Sequence, residues 1–342
     1  MKKVIFTLAL SVFVLCDSFT QSQIHIVGFA GDDAVYWNNG RLTVLPKSGN
    51  KAMANAIVVS GSNVYIAGCD VTDEYYGLYD AVYWHNGRRI VLPKTGRRAE
   101  ANAIAVSGSN VYIAGNDYSD NNGSYAVYWL NGERIELPRN FEYGNGATAK
   151  AITASGSDVY IAGANVFEAA YWLNGRLSVL PSSRQLGGEG QRASGIAVSG
   201  SNVYVIGNGS GGGAPHTAGY WLNGRLTVLP KSGKSPRANA NFETRANAIT
   251  VSGSNVYIAG YDGWSGYYED VGFVGSTDAV YWLNGRVTVL PKLGDSAVAL
   301  AVAVSGSNVY VAGIDGEDTV YWQNGRRIVL PKLNISGMAV IE

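Results

Sequence analysis

The chain has 342 residues, of which 46% are hydrophobic and 15% are charged, with 26 basic and 26 acidic side chains and two cysteines. This balance of charge argues against nucleic-acid binding, which needs a concentrated basic surface. A chain of this length can bury a large core without disulfides.

The N-terminus reads as an export signal. Lys2 and Lys3 precede an apolar run, Val4–Leu15, that is too short to span a bilayer. We expect residues 1–18 to be a signal peptide cleaved before Phe19. Alternatively, a lipoprotein signal ends at residue 15 and leaves Cys16 as a lipidated N-terminus. Both alternatives predict export, to an extracellular, periplasmic or outer-surface-anchored location. No other segment predicts a membrane span.

Residues 19–342 are predicted to form one domain built from a repeat. Each repeat has a Tyr-Trp pair, one further residue, Asn-Gly and a short β-branched run ending in Leu-Pro, as in Asp278–Lys292. Asn-Gly between such runs predicts a hairpin, because both residues tolerate the positive φ of a type I′ turn. The repeat occurs seven times, at Trp37, Trp84, Trp129, Trp172, Trp221, Trp282 and Trp322. Spacings of 40 to 61 residues are typical of propeller blades.

Each repeat predicts four strands and no helix. In the second repeat these strands are Ala54–Val59, Asn63–Gly68, Ala81–His85 and Arg88–Pro93. Six repeats carry a Ser-Gly-Ser turn between the first two strands, while the first repeat begins directly on a second strand.

The ends of the chain predict how the ring closes. Gln23–Gly28 is a second strand without a first, and Gly337–Ile341 is a first strand without a second. If these two segments pair, both termini complete one blade in a 3+1 arrangement and no strand edge is left exposed. The sequence therefore predicts an all-β, seven-bladed β-propeller with four antiparallel strands in each blade.

One known family shares this pattern. Trp282–Gly313 combines W-x-N-G, L-P-x-L-G, an alanine-rich strand and S-G-x-x-V-x-x-A-G, and it resembles the extracellular HAF-type repeat. The resemblance extends over all seven repeats. It implies a secreted bacterial repeat protein with a propeller fold, and it implies no catalytic residues.

The candidate binding surface is the face that carries the variable connections, because the Ser-Gly-Ser and Asn-Gly turns on the other face are nearly constant. Trp264 lies outside the repeat pattern in the longest connection, Tyr261–Asp278, and could offer an apolar platform to a sugar or peptide. The same segment could equally fold its own aromatic residues onto the rim. The candidate ligand-binding residues of this face are Tyr75, Tyr76, Asp117, Tyr261, Asp262, Trp264, Tyr267, Tyr268 and Asp270.

No cofactor is expected, and the one metal candidate is an incomplete calcium loop. Asp117, Ser119 and Asn121 place oxygen ligands at alternate positions, but the glycine comes one place late and no Glu closes the loop. An ordinary polar loop explains the same residues.

Three functions remain open from the sequence. The first is a non-catalytic exported or surface-anchored protein that binds a glycan or an envelope or extracellular protein through its variable-loop face. The second is a polysaccharide hydrolase or lyase that uses carboxylates near the central channel. Its candidate carboxylates are Asp70, Asp117, Asp262 and Asp315. The third is a structural or assembly scaffold of the cell envelope.

Overall fold

The structure is a computed structural model that describes residues 22–119, 123–140, 146–186, 190–209, 217–233, 241–268 and 272–341. These residues form 28 strands and a single turn of 3-10 helix, Arg184–Leu186. The all-β prediction is confirmed. Within the described ranges, no helix combines the length and apolar character that crossing a membrane requires.

The first sheet joins the two ends of the described chain. Its strands are β1 (Gln23–Ala30), β2 (Asp33–Asn38), β3 (Arg41–Val44) and β28 (Asn334–Ile341), in the order β28-β1-β2-β3. Strands β1 and β28 are antiparallel and pair Ile24 with Val340. The expected pairing of both chain ends in one sheet is therefore present.

Four more four-stranded sheets are antiparallel meanders in simple chain order. They contain β12 (Ala147–Ser155), β13 (Asp158–Asn165), β14 (Glu168–Leu173), β15 (Arg176–Val179); β16 (Arg192–Ser199), β17 (Asn202–Gly209), β18 (Thr217–Leu222), β19 (Arg225–Val228); β20 (Asn241–Ser252), β21 (Asn255–Tyr268), β22 (Gly272–Leu283), β23 (Arg286–Val289); and β24 (Ala297–Ser305), β25 (Asn308–Asp315), β26 (Asp318–Gln323), β27 (Arg326–Val329).

The sixth sheet has eight strands. It contains β4 (Lys51–Ser60), β5 (Asn63–Asp73), β6 (Leu78–His85), β7 (Arg88–Val91), β8 (Arg98–Ser107), β9 (Asn110–Tyr118), β10 (Ser124–Leu130) and β11 (Glu133–Glu136). Strands β6 and β8 are joined in parallel at Tyr79 and Arg98, and the Tyr79 amide donates to the Arg97 carbonyl at 3.2 Å.

The prediction of seven separate blades is therefore wrong. Five four-stranded blades stand as separate sheets, and the second and third repeats share the eight-stranded sheet. The physical reason is the single parallel pair between β6 and β8. Strand β6 begins at Leu78 rather than at the predicted Ala81, so that its first residues reach the start of β8.

The turns have the predicted geometry. Asn39 and Gly40 have φ values of 41° and 97°, and every other Asn-Gly pair of the repeat also has positive φ at both residues. Such a pair matches a type I′ turn.

The outer strand of each repeat is short. Each has four residues, which limits the length of exposed edge. These strands are β3, β7, β11, β15, β19, β23 and β27.

The core is built from the repeat tryptophans, as expected. Six of them are completely buried, and each donates its indole N–H to the proline carbonyl that ends the preceding repeat, as Trp84 does to Pro46 at 2.8 Å. The other five donor and acceptor pairs, at 2.7 to 3.0 Å, are Trp129–Pro93, Trp172–Pro138, Trp221–Pro181, Trp282–Pro230 and Trp322–Pro291.

The first strand of each repeat lies innermost. Strands β28, β4, β8, β12, β16, β20 and β24 contact one another in that order and close a ring around a central axis. Each of them has a β-bulge in its pairing with the next strand outward, such as the one between Ala54 and Ala56. A bulge inserts one residue and re-aims its side chain.

Candidate functional site: a cationic cavity on the axis

A cavity of about 550 Å³ lies between the innermost strands β8, β12, β16 and β20. We call it the axial cavity, and its lining residues are Asn102, Thr148, Lys150, Gly190, Arg192, Ala193, Ser194, Asn208 and Arg245. Most of them lie in the first half of an innermost strand. Each innermost strand starts after a variable connection, so the cavity lies toward the variable-loop face.

The residue inserted by the bulge usually links neighbouring innermost strands. The side-chain amide of Asn55 donates to the Ala101 carbonyl at 2.9 Å, and that of Asn102 donates to the Ala149 carbonyl at 2.7 Å. Asn247 and Ser194 make the equivalent bonds to Ala299 and Ala246. These bonds fasten the ring of strands from one repeat to the next.

The other three bulge positions hold Lys150, Leu300 and Ser336, and of these Lys150 alone is charged. It occupies the bulge position of β12, between Ala149 and Ala151, and its ammonium group makes no hydrogen bond or ion pair with the residues that the structure describes. At this position the lysine makes no bond to the described residues of the next innermost strand. It places a positive charge at the wall of the axial cavity instead.

The electrostatics of the axial cavity favour an anion. Three cationic side chains, Lys150, Arg192 and Arg245, line it, and among the described residues no carboxylate does. Surrounding protein partly desolvates Lys150 and lowers its pKa, and the nearby charges of Arg192 and Arg98 lower it further, against the opposing effect of Glu100. A bound anion would relieve the cost of holding these cations together.

Glu100 does not neutralise the cavity, because it has a partner of its own. Arg98 binds it through Nη2 at 2.5 Å and through Nε at 3.1 Å. The Arg98 guanidinium also lies over the rings of Tyr79 and Tyr118, at 4.3 and 4.9 Å from their centroids. This cluster fixes the neighbouring wall of the channel.

The carboxylates considered for hydrolysis have structural roles. Asp70, Asp117 and Asp315 are at most 2% exposed. Each binds the arginine opposite the repeat tryptophan in the outer strand: Arg89 at 2.5 Å, Arg134 at 2.7 Å and Arg327 at 2.6 Å. Each also accepts a backbone N–H from the segment after Leu-Pro, as Asp117 does from Thr95 at 2.9 Å. These aspartates therefore anchor the connection between repeats.

Asp262 is the fourth member of this series and lacks the arginine. Val287 occupies the equivalent place opposite Trp282. Asp262 is 1% exposed and accepts the Ser232 backbone N–H. Burial raises its pKa despite the opposing hydrogen bonds from Ser232. In Asp315, burial alone would raise the pKa, but hydrogen bonds from Gly294, Leu293 and Arg327 outweigh it and lower the pKa.

The long connection that carries Trp264 is a hairpin extension rather than an open loop. Strands β21 and β22 continue their pairing out to Tyr268 and Gly272, with Trp264 opposite Ser276 and, on the other side, Phe242. Trp264 and Tyr261 are half-buried, so the exposed platform expected at Trp264 is partly covered. For Tyr267 and Tyr268 the backbone alone is described, and Asp270 lies outside the described residues.

Tyr75 and Tyr76 lie at the tip of the β5–β6 hairpin and are 89% and 64% exposed. Their rings meet edge to face at 4.9 Å. This hairpin and the one with Trp264 belong to different, non-adjacent sheets. The predicted aromatic residues therefore form two separate features of the rim and no single patch.

The contacts of Asp117 do not support the predicted calcium loop. Asp117 Oδ2 already accepts from Arg134 Nε and from both the backbone and the hydroxyl of Thr95, and a guanidinium competes with a cation for the same oxygen. The Ser119 hydroxyl lies 3.2 Å from the Gly123 amide, which donates to it. Asn121 lies outside the described residues, and no cluster of three metal-binding side chains exists among those that are described.

Of the two cysteines, Cys69 lies among the described residues. Cys69 is a buried free thiol, and burial, with the nearby charges of Glu100 and Asp70, raises its pKa to about 12. It is therefore an unreactive core residue. The predicted signal peptide, residues 1–18, and the candidate lipid anchor Cys16 lie outside the described residues.

Comparison with known proteins supports the fold. No protein-family model matches the chain, and no curated protein matches it. A puromycin-hydrolysing peptidase from Mycobacterium tuberculosis superposes with a TM-score of 0.53 at 11% identity, over 91% of this chain and 53% of the peptidase. Apo AztD from Citrobacter koseri superposes with a TM-score of 0.40 at 10% identity, over 94% of this chain and 98% of AztD.

Neither similarity bears on the function of this chain. At 11% identity the first shows the β-propeller fold alone, and this chain spans about half the length of the peptidase. The second score is too low to carry an argument. A shared fold does not determine the chemistry of a site, which depends on the residues present there.

Proposed function

We propose that this protein is a non-catalytic binding protein that holds an acidic glycan in the axial cavity, on the variable-loop face. The observation that carries the proposal is Lys150, a cation at the bulge position where three other repeats place the asparagine that fastens the ring. Arg192 and Arg245 line the same cavity. Together they offer two guanidinium groups and one ammonium group to a carboxylate or sulfate.

The uncharged lining residues suit a sugar. Thr148 has a hydroxyl at the wall of the cavity, and Ser194 and Asn102 keep an acceptor oxygen beside the bonds that they donate to the ring. The Asn208 amide is already bonded through both its oxygen and its nitrogen to the Ala246 backbone. Hydroxyls and amides both donate and accept, as sugar hydroxyls require. The volume, about 550 Å³, lies in the range of small-molecule sites, roughly 300 to 1,000 Å³. A longer glycan would extend from the axis to the rim, where Trp264, Tyr75 and Tyr76 are candidate contacts.

The position of the carboxylates supports a non-catalytic role. Asp70, Asp117 and Asp315 are buried and ion-paired, and Asp262 is buried under Ser232. None of the four lines the axial cavity. A hydrolase of the two-carboxylate type needs both groups beside the scissile bond.

Export is part of the same proposal, with a signal peptide of residues 1–18 or a lipid on Cys16. Intact mass measurement of the protein made in a bacterium with a secretion pathway tests it. A chain that begins at Phe19 supports cleavage, a diacylated or triacylated Cys16 supports the anchor, and a cytoplasmic protein with an intact N-terminus contradicts both.

The binding proposal is tested with a glycan array that contains acidic and neutral members. We expect the protein to bind acidic members, and Lys150→Asn to lose that binding while remaining folded, because asparagine is the residue of the equivalent positions 55, 102 and 247. Trp264→Ala reports separately on the rim. Binding of no acidic glycan, or equal binding by wild type and Lys150→Asn, would contradict the proposal.

A further inference from the structure

A second cavity lies where the ring closes, between the sheet that holds both chain ends and the sheet of β24 to β27. Its volume is about 470 Å³, and we call it the seam cavity. Its lining residues are Ser22, Ile24, Trp37, Asn39, Gly40, Asn308, Tyr310, Tyr321 and Gln323. Asn39 and Gly40 form an Asn-Gly turn, so the seam cavity lies on the face of the short turns, opposite the variable connections.

Trp37 behaves differently from the other repeat tryptophans. Its indole N–H is buried and has no acceptor among the described residues, whereas the six other indoles each bind a proline carbonyl. Its side chain is 6% exposed, while the other six are at 0%. The indole packs instead against Tyr321, with ring centroids 6.1 Å apart and planes inclined by 48°. The contact between repeats is therefore more open at this point of the ring.

Gln323 is the second departure from the repeat. It follows Trp322, and leucine occupies the same place in four other repeats, at Leu130, Leu173, Leu222 and Leu283. The Gln323 amide lies 3.4 Å from the Tyr310 hydroxyl, to which it donates. A polar side chain thus replaces an apolar one at the wall of the cavity.

The chemistry of the lining indicates the class of ligand. Three aromatic rings, Trp37, Tyr310 and Tyr321, combine with the side-chain amides of Asn39, Asn308 and Gln323. Of the described residues that line the cavity, none is charged. The half-buried ring of Tyr321 can pack on the apolar face of a pyranose ring, whereas Trp37 and Tyr310 are 6% and 1% exposed and form the wall behind it. Side-chain amides bind sugar hydroxyls as donors and as acceptors. Without a charged group, the cavity offers nothing specific to a carboxylate or phosphate.

We propose that the seam cavity is a binding site for a neutral sugar, separate from the axial cavity. It depends on both ends of the described chain, since Ser22, Ile24 and Trp37 come from the first repeat and Tyr310, Tyr321 and Gln323 from the last. The site therefore exists once in the molecule, at the contact where Trp37 lacks its proline partner.

Gln323→Leu is the sharpest variant, because it introduces the side chain that four other repeats have at this position and is expected to keep the fold. We expect the purified protein to bind one class of neutral glycans on the array, and Gln323→Leu to weaken that binding at least tenfold. Tyr321→Ala should abolish it. The matched control is Tyr281→Ala, which removes the equivalent tyrosine from another repeat and should leave neutral-glycan binding intact.

Nuclear magnetic resonance gives a readout that a purely structural role would not move. The indole N–H signal of Trp37, identified by its loss in Trp37→Phe, should shift when the neutral glycan is added, while the six proline-bound indole signals stay in place. The proposal is overturned if no neutral glycan binds. It is also overturned if Gln323→Leu binds as tightly as wild type, or if the Trp37 signal does not respond to saturating glycan.

Discussion

The axial cavity and the seam cavity have similar volumes, about 550 and 470 Å³, but opposite chemistry. Among the described residues, the axial cavity is lined by three cations and no aromatic ring, whereas the seam cavity is lined by three aromatic rings and no charged group. In both, the distinguishing residue departs from its repeat: Lys150 replaces asparagine, and Gln323 replaces leucine. In a chain of near-copies, residues that break the pattern at the wall of a cavity are the best candidates for binding.

The buried aspartates show the other kind of departure. Where an aspartate lies two residues after the glycine of the second strand, as Asp70, Asp117 and Asp315 do, an arginine in the outer strand neutralises it. Here the two changes compensate each other and keep the fold. Asp262 has no such arginine, because Val287 takes its place. Comparing Asp262 with Asp315 therefore shows what the arginine contributes.

The largest effect should come from the aspartates. Asp315→Asn leaves Arg327 without its buried partner, so the free energy of unfolding at pH 7 should fall by about 3 kcal/mol. Asp262→Asn should leave it unchanged or raise it, because the charged form of Asp262 is already disfavoured by burial. Urea unfolding measures both. If the two variants lose equal stability, the aspartates do not differ as described.

The pH dependence of these variants has a definite sign. The pKa of Asp315 is lowered on folding, so its contribution is present above the unfolded value of about 3.9 and is lost as the pH falls through the folded value. The pKa of Asp262 is raised on folding, so its penalty is present above the folded value and disappears as the pH falls through it. Below about pH 4, wild type and Asp315→Asn should therefore converge in stability.

The next effect compares the seam with an ordinary contact between repeats. Trp322→Phe removes the donor to the Pro291 carbonyl and leaves that carbonyl unpaired, which should cost roughly 1–3 kcal/mol beyond the loss of packing. Trp37→Phe removes an indole N–H that has no acceptor among the described residues, so it should cost less. Thermal and urea unfolding of the two variants test this difference. A larger loss for Trp37→Phe would show that the seam is no more open than the other contacts.

Salt should separate the two cavities. Binding of an acidic glycan in the axial cavity should weaken several-fold between 50 and 500 mM NaCl, because added ions screen the three cations. Binding of a neutral glycan in the seam cavity should change little over the same range. Titrations of both ligands with one preparation of protein give the comparison. Equal sensitivity to salt would mean that the two ligands share one site.

The smallest effect is the dependence of binding on alkaline pH. The pKa of Lys150 lies below its usual 10.5, so acidic-glycan affinity should begin to fall below that pH as the ammonium group loses its proton. Neutral-glycan affinity should stay constant there, since burial raises the pKa of Tyr321 above its usual 10.0. Affinities measured from pH 7 to pH 9.5 test this, with Lys150→Asn as the variant that should lose the pH dependence.

Much of the fold could be predicted because its signals are local. Asn-Gly pairs, the Tyr-Trp repeat and the unpaired strands at the two ends predicted the hairpins, the tryptophan core and the meeting of the chain ends. The merging of two repeats could not be predicted, because it rests on one parallel pair, Tyr79 and Arg98, that depends on how far a variable hairpin extends.

The site was harder to predict from the sequence. Alternation along a strand predicts which residues face the axis only if the strand is regular, and the bulge in every innermost strand changes the alternation beyond that point. The predicted site therefore consisted of acidic and aromatic residues of the connections and did not include Lys150, Arg192 and Arg245. Aligning the repeats would have revealed Lys150, since Asn55, Asn102 and Asn247 occupy its column. The same alignment pairs the buried aspartates with their arginines.

Calorimetry is the decisive test of the axial cavity. It asks whether the cavity holds an anionic ligand through Lys150 and the two arginines. An acidic glycan identified on the array is titrated into wild type and into Lys150→Asn at pH 7 and low salt. The account predicts saturable binding to one site, weakened at least tenfold in Lys150→Asn, with Gln323→Leu binding like wild type. Equal affinity for wild type and Lys150→Asn would contradict it.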